Sequence, residues 1–585
     1  MNWQPPVDDI AFSLRHVAGI DALCRDGLFP EATADVIDAV LEEAGRFAGE
    51  RIAPLNRDGD RIGARFADGR VTTAPGWKQT YADWSAAGWN ALSAPTDHGG
   101  QGLPLLLNAA CLELWNGASM AFGLCPLLTI GAIEALIAHG TPALRDTYLE
   151  KLVSGEWTGT MNLTEPQAGS DLAALRTRAE RAGDGTYRIT GQKIFITYGE
   201  QDLTANIVHL VLARLPDAPA GTRGISLFLV PKFLPDADGR PGAANDLHCA
   251  SIEHKLGLHG SPTCTMVFGD KGGATAFLVG EENKGLACMF TMMNNARLAV
   301  GLQGVAIAGR AYDQALAFAR ERRQGRAPGW QGDGMSPILE HADIRRMLLD
   351  MRAKTVAARG ICYQVAEAID RAHHGTDETA CRRAQERASL LTPIAKAFST
   401  DAANEVASLG VQVHGGMGFI EETGAAQHMR DARIAAIYEG TNGIQAIDLV
   451  SRKLPLDEGR TVARYIGELR TGIAAADPAL AKPLESAISA LERSTQWLLQ
   501  ALPHHPLDAL AGATPYLRLF ATAAGGVVLA REAEAAGNGP KARLRQDTAR
   551  FFVSQIASQA EGLAAGVVSG AQAAGLADAA TFDIH

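Results

Sequence analysis

The sequence contains no Cys-x-x-Cys pair: Cys24, Cys111, Cys125, Cys249, Cys264, Cys288, Cys362 and Cys381 all stand apart. This removes the usual zinc and dithiol signatures and leaves buried, reduced thiols as the expectation. There is no G-x-x-x-x-G-K-[S/T], no strand-G-x-G-x-x-G-helix unit, no H-E-x-x-H and no G-x-S-x-G. Phosphoryl transfer, Rossmann dinucleotide binding, zinc hydrolysis and elbow-type serine hydrolysis therefore lose support. His254 and His259 flank Lys255-Leu-Gly-Leu at a spacing of five, which does not stack two ligands on one helix face, so they read as surface or loop histidines. No basic run offsets the net charge of −11, so no nucleic-acid surface is expected. No run approaches the roughly 20 apolar residues of a membrane span; Leu298 to Ala308 is interrupted by Gly301, Gln303 and Gly304. The N-terminus has neither a basic start nor an apolar secretory core, which reads as cytoplasmic. No repeat of fixed period is present.

What is there is length and a changing period. A chain of 585 residues implies two to four packed units. Residues 1–34 read as an N-terminal extension. From 35 to 159 apolar residues recur at three and four, as in Ala34-Asp-Val-Ile-Asp-Ala-Val-Leu, which predicts an α-helical domain. From 160 to 279 the runs shorten and fill with β-formers: Tyr187 to Thr197, Asn206 to Leu212 and Gly224 to Val230. They predict a central β-barrel or sheet domain. Helical period returns at 280–455 in nearly proline-free stretches at 286–326, 343–390 and 394–412, predicting a helical bundle. The Ala-rich tail at 456–585, broken at Pro503 and at Gly537-Asn-Gly-Pro540, predicts an appended helical domain. The fold class expected is thus α+β and multidomain.

Several polar islands interrupt these apolar surroundings. Thr160-Met-Asn-Leu-Thr-Glu-Pro-Gln-Ala-Gly-Ser-Asp171 offers hydroxyls and small residues on a Pro-kinked backbone, suited to a ligand or to a plain helix-to-sheet turn. His414-Gly-Gly-Met-Gly418 would let backbone amides approach a phosphate, or simply end a helix. Tyr438-Glu-Gly-Thr-Asn-Gly443 puts a carboxylate at the break between two apolar helical runs, where Glu439 alone could be only a cap.

Together the islands resemble the acyl-CoA dehydrogenase family over residues 35–455. The match is carried by Leu-Thr-Glu-Pro-x-Ala-Gly-Ser-Asp at 163–171, Gly-x-Lys-x-Phe-Ile-Thr at 191–197, Gln-x-x-Gly-Gly-x-Gly-Phe at 412–419 and Arg-Asp-Ala-Arg-Ile at 430–434 before Tyr-Glu-Gly-Thr. The resemblance implies FAD as cofactor. Met161, Leu163, Thr164, Gly169 and Ser170, with Phe195, Ile196 and Thr197, would line it; Thr164 would bond the isoalloxazine, and Ser170 would lie near the phosphates or the CoA arm. Gln412, Gly415 and Gly416 would meet the adenine half of a neighbouring subunit's FAD, Gly440, Thr441 and Asn442 the pyrophosphate, and Arg322 a partner's FAD. This implies a homo-oligomer, dimer or tetramer. Ser170, Asn294, Arg297 and Gly440 would contact the acyl-CoA, and an electron-transferring flavoprotein would take the electrons.

The implied reaction is α,β-dehydrogenation of an acyl-CoA thioester to the trans-2-enoyl-CoA, with Glu439 as the base. An α-proton of a thioester is a very weak acid, so the base needs a raised pKa, which burial supplies. The family's oxyanion site uses the base's own N–H and a flavin hydroxyl. Some members carry the base on an earlier helix, but Asn283 to Gly301 holds no Asp or Glu. Departures from the family pattern are Asn294 in place of an acidic residue, Arg322-Arg-Gln-Gly-Arg326 in place of R-x-x-F-G, and Ala342 in place of a Gln.

The long tail and the Met-Met-Asn-Asn-Ala-Arg and Glu-Gly-Thr-Asn-Gly-Ile-Gln variants look most like the family's 3-(methylthio)propanoyl-CoA group, with saturated fatty acyl-CoA as the other substrate class. Three other readings are an acyl-CoA oxidase using O2, a DNA-binding alkylation-response-like flavoprotein, and a scaffold whose islands are only turns. In the tail Lys and Arg do not outnumber Asp and Glu, against the second. A colourless purified protein would favour the third.

Overall fold

The computed structural model describes residues 3–576 and Asp578, apart from the side chains of Met292 and Asn294. It divides into two compact units. One holds Glu43–Pro104 and Leu114–Ala296 with a few N-terminal residues; the other holds Pro6–Glu42, Leu105–Glu113 and the chain from Arg297 on.

The first unit is built around an eight-stranded sheet. Its strands run in the order Leu247–Ile252, Thr263–Phe268, Tyr187–Thr197, Ala274–Val279, Ile225–Pro231, Asn206–Arg214 and Trp157–Asn162, with Arg178–Arg181 pairing beside Tyr187–Thr197. Ile225–Pro231 is buried along its whole length, which is why it reads as continuous Ile-Ser-Leu-Phe-Leu-Val rather than as alternation. Tyr187–Thr197 buries Ile189, Lys193 and Ile196, an irregular spacing that goes with the register shift opposite it, and its Ile189 and Ile196 enter a core with Val211, Phe228, Met266 and Phe268. Most pairings are antiparallel; Trp157–Asn162 runs parallel to Asn206–Arg214. Within the stretch expected to be helical, Arg65–Ala67 and Arg70–Thr72 form a small hairpin. Asp68 and Gly69 turn it, both at positive φ, and this Asp-Gly step was the available sequence signal.

The second unit is helical. Gly285–Glu321 enters it from Arg297 on, beside Ala342–His374 and Glu378–His414. The single stretch expected over 343–390 is in fact two helices, because the first ends at Gly375 and Asp377 caps the next by accepting from Ala380 N. Pro393, expected to separate two stretches, lies inside Glu378–His414. Glycines set the helix spacing: a Cβ on Gly304 would stand 2.6 Å from the Ser399 carbonyl oxygen, and one on Gly301 3.0 Å from that of Ala395. The tail helix Ala513–Ala535 seats against Ala342–His374 in the same way, since a Cβ on Gly360 would strike Val528.

Two buried charge groups tie this unit together. Glu113 accepts from the Arg359 guanidinium at 2.6–3.1 Å and from the Tyr363 hydroxyl at 2.6 Å. Asp9, on the first helix Val7–Ser13, accepts from Arg352 at 3.1 Å and from Arg545 at 2.7 Å, while Ser13 donates to Glu532 at 2.5 Å. The region read as an N-terminal extension is thus anchored to the tail.

One expectation about membranes is corrected. Met120–His139 and Ala513–Ala535 are long and apolar enough to cross a bilayer, yet 83% of each apolar window is buried inside the protein. They are core helices, apolar all round because they are surrounded.

Candidate functional site

In the first unit, two of the motif stretches are brought together by a buried ion pair. Lys193, fully buried on Tyr187–Thr197, donates to Glu165 Oε1 at 2.9 Å and to the Leu163 carbonyl at 3.0 Å. Glu165 also accepts from the Arg176 and Thr177 amides and the Thr177 hydroxyl. Burial alone would raise the Glu165 carboxyl, but the Lys193 charge and these donors bring it down to about 2. Burial lowers Lys193 to about 8, with Glu165 opposing. The loop is pinned further by Ile194 N donating to the Thr164 carbonyl at 2.9 Å. Leu163, Thr164, Gly169 and Ser170 are therefore presented on a clamped loop, the last two exposed.

At the end of the same strand Phe195 is 58% exposed and sits at φ +60°. A large aromatic held outward in left-handed backbone costs about 1–3 kcal/mol and is typical of a ligand clamp. A flat ring system fits against it, with the half-buried Thr197 hydroxyl on the same stretch. The Ile196 and Met161 side chains, 2% and 7% exposed, belong to the core, so main chain is what they offer a ligand.

This unit also holds a carboxyl that the sequence reading passed over. Glu134, on Met120–His139, is pushed by burial up to about 8, with the Asn295 side chain beside it opposing the shift. Its Oε2 has no hydrogen-bond partner among the described residues.

In the second unit, Glu439 lies in the turn before the helix Asn442–Asp448, whose N-cap is Thr441, accepting from Ile444 N at 3.2 Å. Glu439 and Gly440 take φ +54° and +84° in succession, a left-handed turn that the second position tolerates because it is glycine. A Cβ there would also stand 2.7 Å from Gln445 Nε2, which donates to the carbonyls of Glu439 and Gly440 at 3.2 Å. Tyr438 donates to Gln303 on the long helix.

Glu439 is half-buried, and burial raises its carboxyl while the charges of Lys396 and Arg297 oppose this. Lys396 is itself fully buried on Glu378–His414 and donates to the Gly440 carbonyl at 2.8 Å and Asn442 Oδ1 at 2.9 Å. Burial takes it down to about 7 against the pull of Glu439 and Asp401. The sequence reading missed it because a lone Lys in Pro-Ile-Ala-Lys-Ala-Phe carries no motif.

Other expected residues are placed as follows. The Asn442 side chain is taken up by Lys396, Thr400 and Asp401, the last at 2.7 Å. Arg297 is 5% exposed and ion-paired with Asp448 at 3.1 Å, its Nε without a partner among the described residues. The Asn294 side chain lies outside the described residues. Gln412, Gly415 and Gly416 are exposed, beside outward-facing Met417, Phe419 and Ile420, and Arg322 is exposed too. His259 is a loop residue whose ring nitrogens meet the carbonyls of Asp60 and Lys255.

Comparison with known proteins identifies the family. The acyl-CoA dehydrogenase N-terminal, middle and C-terminal domains match residues 35–156, 160–271 and 283–454, and a domain described as acetyl-CoA dehydrogenase C-terminal like matches 465–576. A 3-methylmercaptopropionyl-CoA dehydrogenase of Ruegeria pomeroyi is 49% identical over 95% of this chain and 96% of its own. A butyryl-CoA dehydrogenase of Syntrophomonas wolfei is 35% identical over 81% of this chain and 79% of its own. The fold is shared with an acyl-CoA dehydrogenase complexed with FAD from Bacillus anthracis, at TM-score 0.74 and 20% identity, covering 92% of this chain and 89% of that one. A chain matched over most of its length in this way belongs to the acyl-CoA dehydrogenase family, FAD-dependent oxidoreductases acting on the CH–CH bond of an acyl-CoA.

Proposed function

We propose that this enzyme oxidises 3-(methylthio)propanoyl-CoA to its trans-2-enoyl thioester, with Glu439 as the base. The substrate reading rests on one observation, the 49% identity over nearly the whole chain to a relative named for that thioester. A short saturated acyl-CoA is the second reading, favoured by the butyryl-CoA dehydrogenase relative.

The residues support the chemistry as follows. Phe195 and Thr197 would hold the flavin ring, and the clamped loop bearing Thr164, Gly169 and Ser170 would carry its polar edge and the CoA arm. FAD, when bound, supplies the hydride acceptor for the β-carbon. The chain's own task is to take the α-proton on Glu439. Half-burial keeps that carboxyl proton-hungry, and the left-handed turn, held by Gln445 and Lys396, fixes where it points. A carboxyl raised by burial is better matched to an α-proton than an ordinary carboxylate.

The electron acceptor is an electron-transferring flavoprotein, as the family resemblance implies, and reoxidation by that protein against air separates this from an oxidase. The exposed cluster Met417, Phe419 and Ile420 beside Gly415 and Gly416 supports a homo-oligomer, since such a patch favours cover. Location in the cytoplasm goes with these readings. The deciding experiment is anaerobic mixing of the yellow enzyme with a panel of acyl-CoAs. The wild type bleaches fastest with 3-(methylthio)propanoyl-CoA; Glu439→Gln keeps its flavin and binds ligand but does not bleach. Retained bleaching in Glu439→Gln puts the base elsewhere.

A further inference from the structure

A buried ammonium needs a reason. Lys396 has no exposed surface, and the partners described for it are two neutral oxygens, the Gly440 carbonyl and Asn442 Oδ1, rather than a carboxylate in contact. Burying a cation against neutral acceptors is costly, and a methionine of similar length would fill the space without that cost. The position therefore serves something other than packing.

Its location says what. The two acceptors lie one and three residues beyond Glu439, on the turn where Glu439 and Gly440 adopt consecutive left-handed backbone. Asn442 is held in turn by Thr400 at 2.9 Å and Asp401 at 2.7 Å, both on the helix that carries Lys396. Gln445 donates to the same Gly440 carbonyl and to that of Glu439. Gly301 and Gly304 let the long helix approach Glu378–His414 closely, which also places Gln303 to receive Tyr438.

We propose that Lys396 is a positioning residue for the base: its ammonium ties the Glu439–Asn442 turn to the Glu378–His414 helix and supplies the counter-charge to the Glu439 carboxylate. This rests on the reading of Glu439 as the base. The charged groups acting on the pair are Arg297, which opposes protonation of Lys396 and favours ionised Glu439, and Asp401, which favours the ammonium. Burial lowers Lys396 and raises Glu439, and the charge of each opposes the shift of the other.

The test compares wild type, Lys396→Met, Lys396→Gln and Glu439→Gln as flavin-loaded enzymes. Bleaching rate and steady-state turnover are followed against pH, with flavin content and melting temperature measured alongside. Lys396→Met should keep its flavin and lose about tenfold or more in kcat with KM moved less than about threefold. Its acidic limb should move up by about one pH unit, because the cation that favours ionised Glu439 is gone. Lys396→Gln, which can donate to the turn but carries no charge, should recover much of the rate on the alkaline side while keeping the moved limb. A merely structural lysine would lower flavin content or melting temperature and leave the limb where it was. A Lys396 variant with wild-type limb and near wild-type rate overturns the proposal; if Lys396→Met does not fold, Lys396→Gln is judged on the moved limb alone. Glu439→Gln separates the two ideas. If it is inactive while the Lys396 variants keep the wild-type profile, only the Lys396 proposal fails; if it still bleaches substrate, the base reading fails with it.

Discussion

The Lys396 ammonium stands 2.8 Å from the carbonyl oxygen of Gly440, the residue that follows Glu439. Its pKa of about 7 lies below the ordinary 10.5, so folding favours the neutral amine. The stability this contributes is present above the ordinary value and is lost as pH falls through the folded one. Relative to wild type, the melting temperature of Lys396→Met should therefore climb as pH is lowered from about 10 to about 7. Scanning calorimetry across that range checks it; a difference that stays flat with pH contradicts it.

Glu165 gives the same direction in a more acidic window. The Glu165 carboxyl is held down to about 2 against an ordinary 4.5. Its stabilisation is present above the ordinary value and is lost as pH falls towards the folded one. Glu165→Gln should leave Lys193 buried without its counter-ion and cost about 3–5 kcal/mol in denaturant titration. Flavin content should drop with it, since the loop carrying Thr164 and Ser170 loses its clamp.

Phe195→Gly should separate backbone strain from ligand contact. Glycine removes the penalty of φ +60°, so the apoprotein should be no less stable, within about 1 kcal/mol. Flavin should nevertheless be retained less tightly, because the outward ring is gone. Equilibrium dialysis of FAD against wild type and variant decides this; undiminished retention would mean the ring does not stack on flavin.

Glu134 supplies a check on the assignment of the base. Burial raises its carboxyl to about 8, so its contribution to stability is full below the ordinary 4.5 and is lost as pH rises through about 8. Glu134→Gln should bleach with substrate like wild type, and its melting temperature should exceed that of wild type only on the alkaline side. Loss of bleaching with flavin retained would make Glu134 the base in place of Glu439.

Local signals made part of this legible from the sequence. Tyr187–Thr197 reads as a strand because it is a short run rich in β-branched and aromatic residues, and Glu439 reads as a base because a short segment with a family pattern surrounds it. Contacts across long separations were not legible. Glu165 meets Lys193 only after the loop folds back on the strand, and Glu113 meets Arg359 246 residues away. The ion pair of Arg297 with Asp448, 151 residues on, had no local signal either. Gly301 and Gly304 read as interruptions of an apolar run, whereas they stay helical and let two backbones approach. Pro393 read as a break because its missing N–H weakens a helix locally; burial on both sides carries the helix through it.

The first helix and the tail share their counter-ions. Asp9 serves Arg352 in the bundle and Arg545 in the tail, and Ser13 serves Glu532. Trimming either terminus would strand charges in the interior that the other terminus was neutralising. The first helix and the tail are thus one electrostatic unit, and replacing Asp9 loosens the bundle's Arg352 and the tail's Arg545 together.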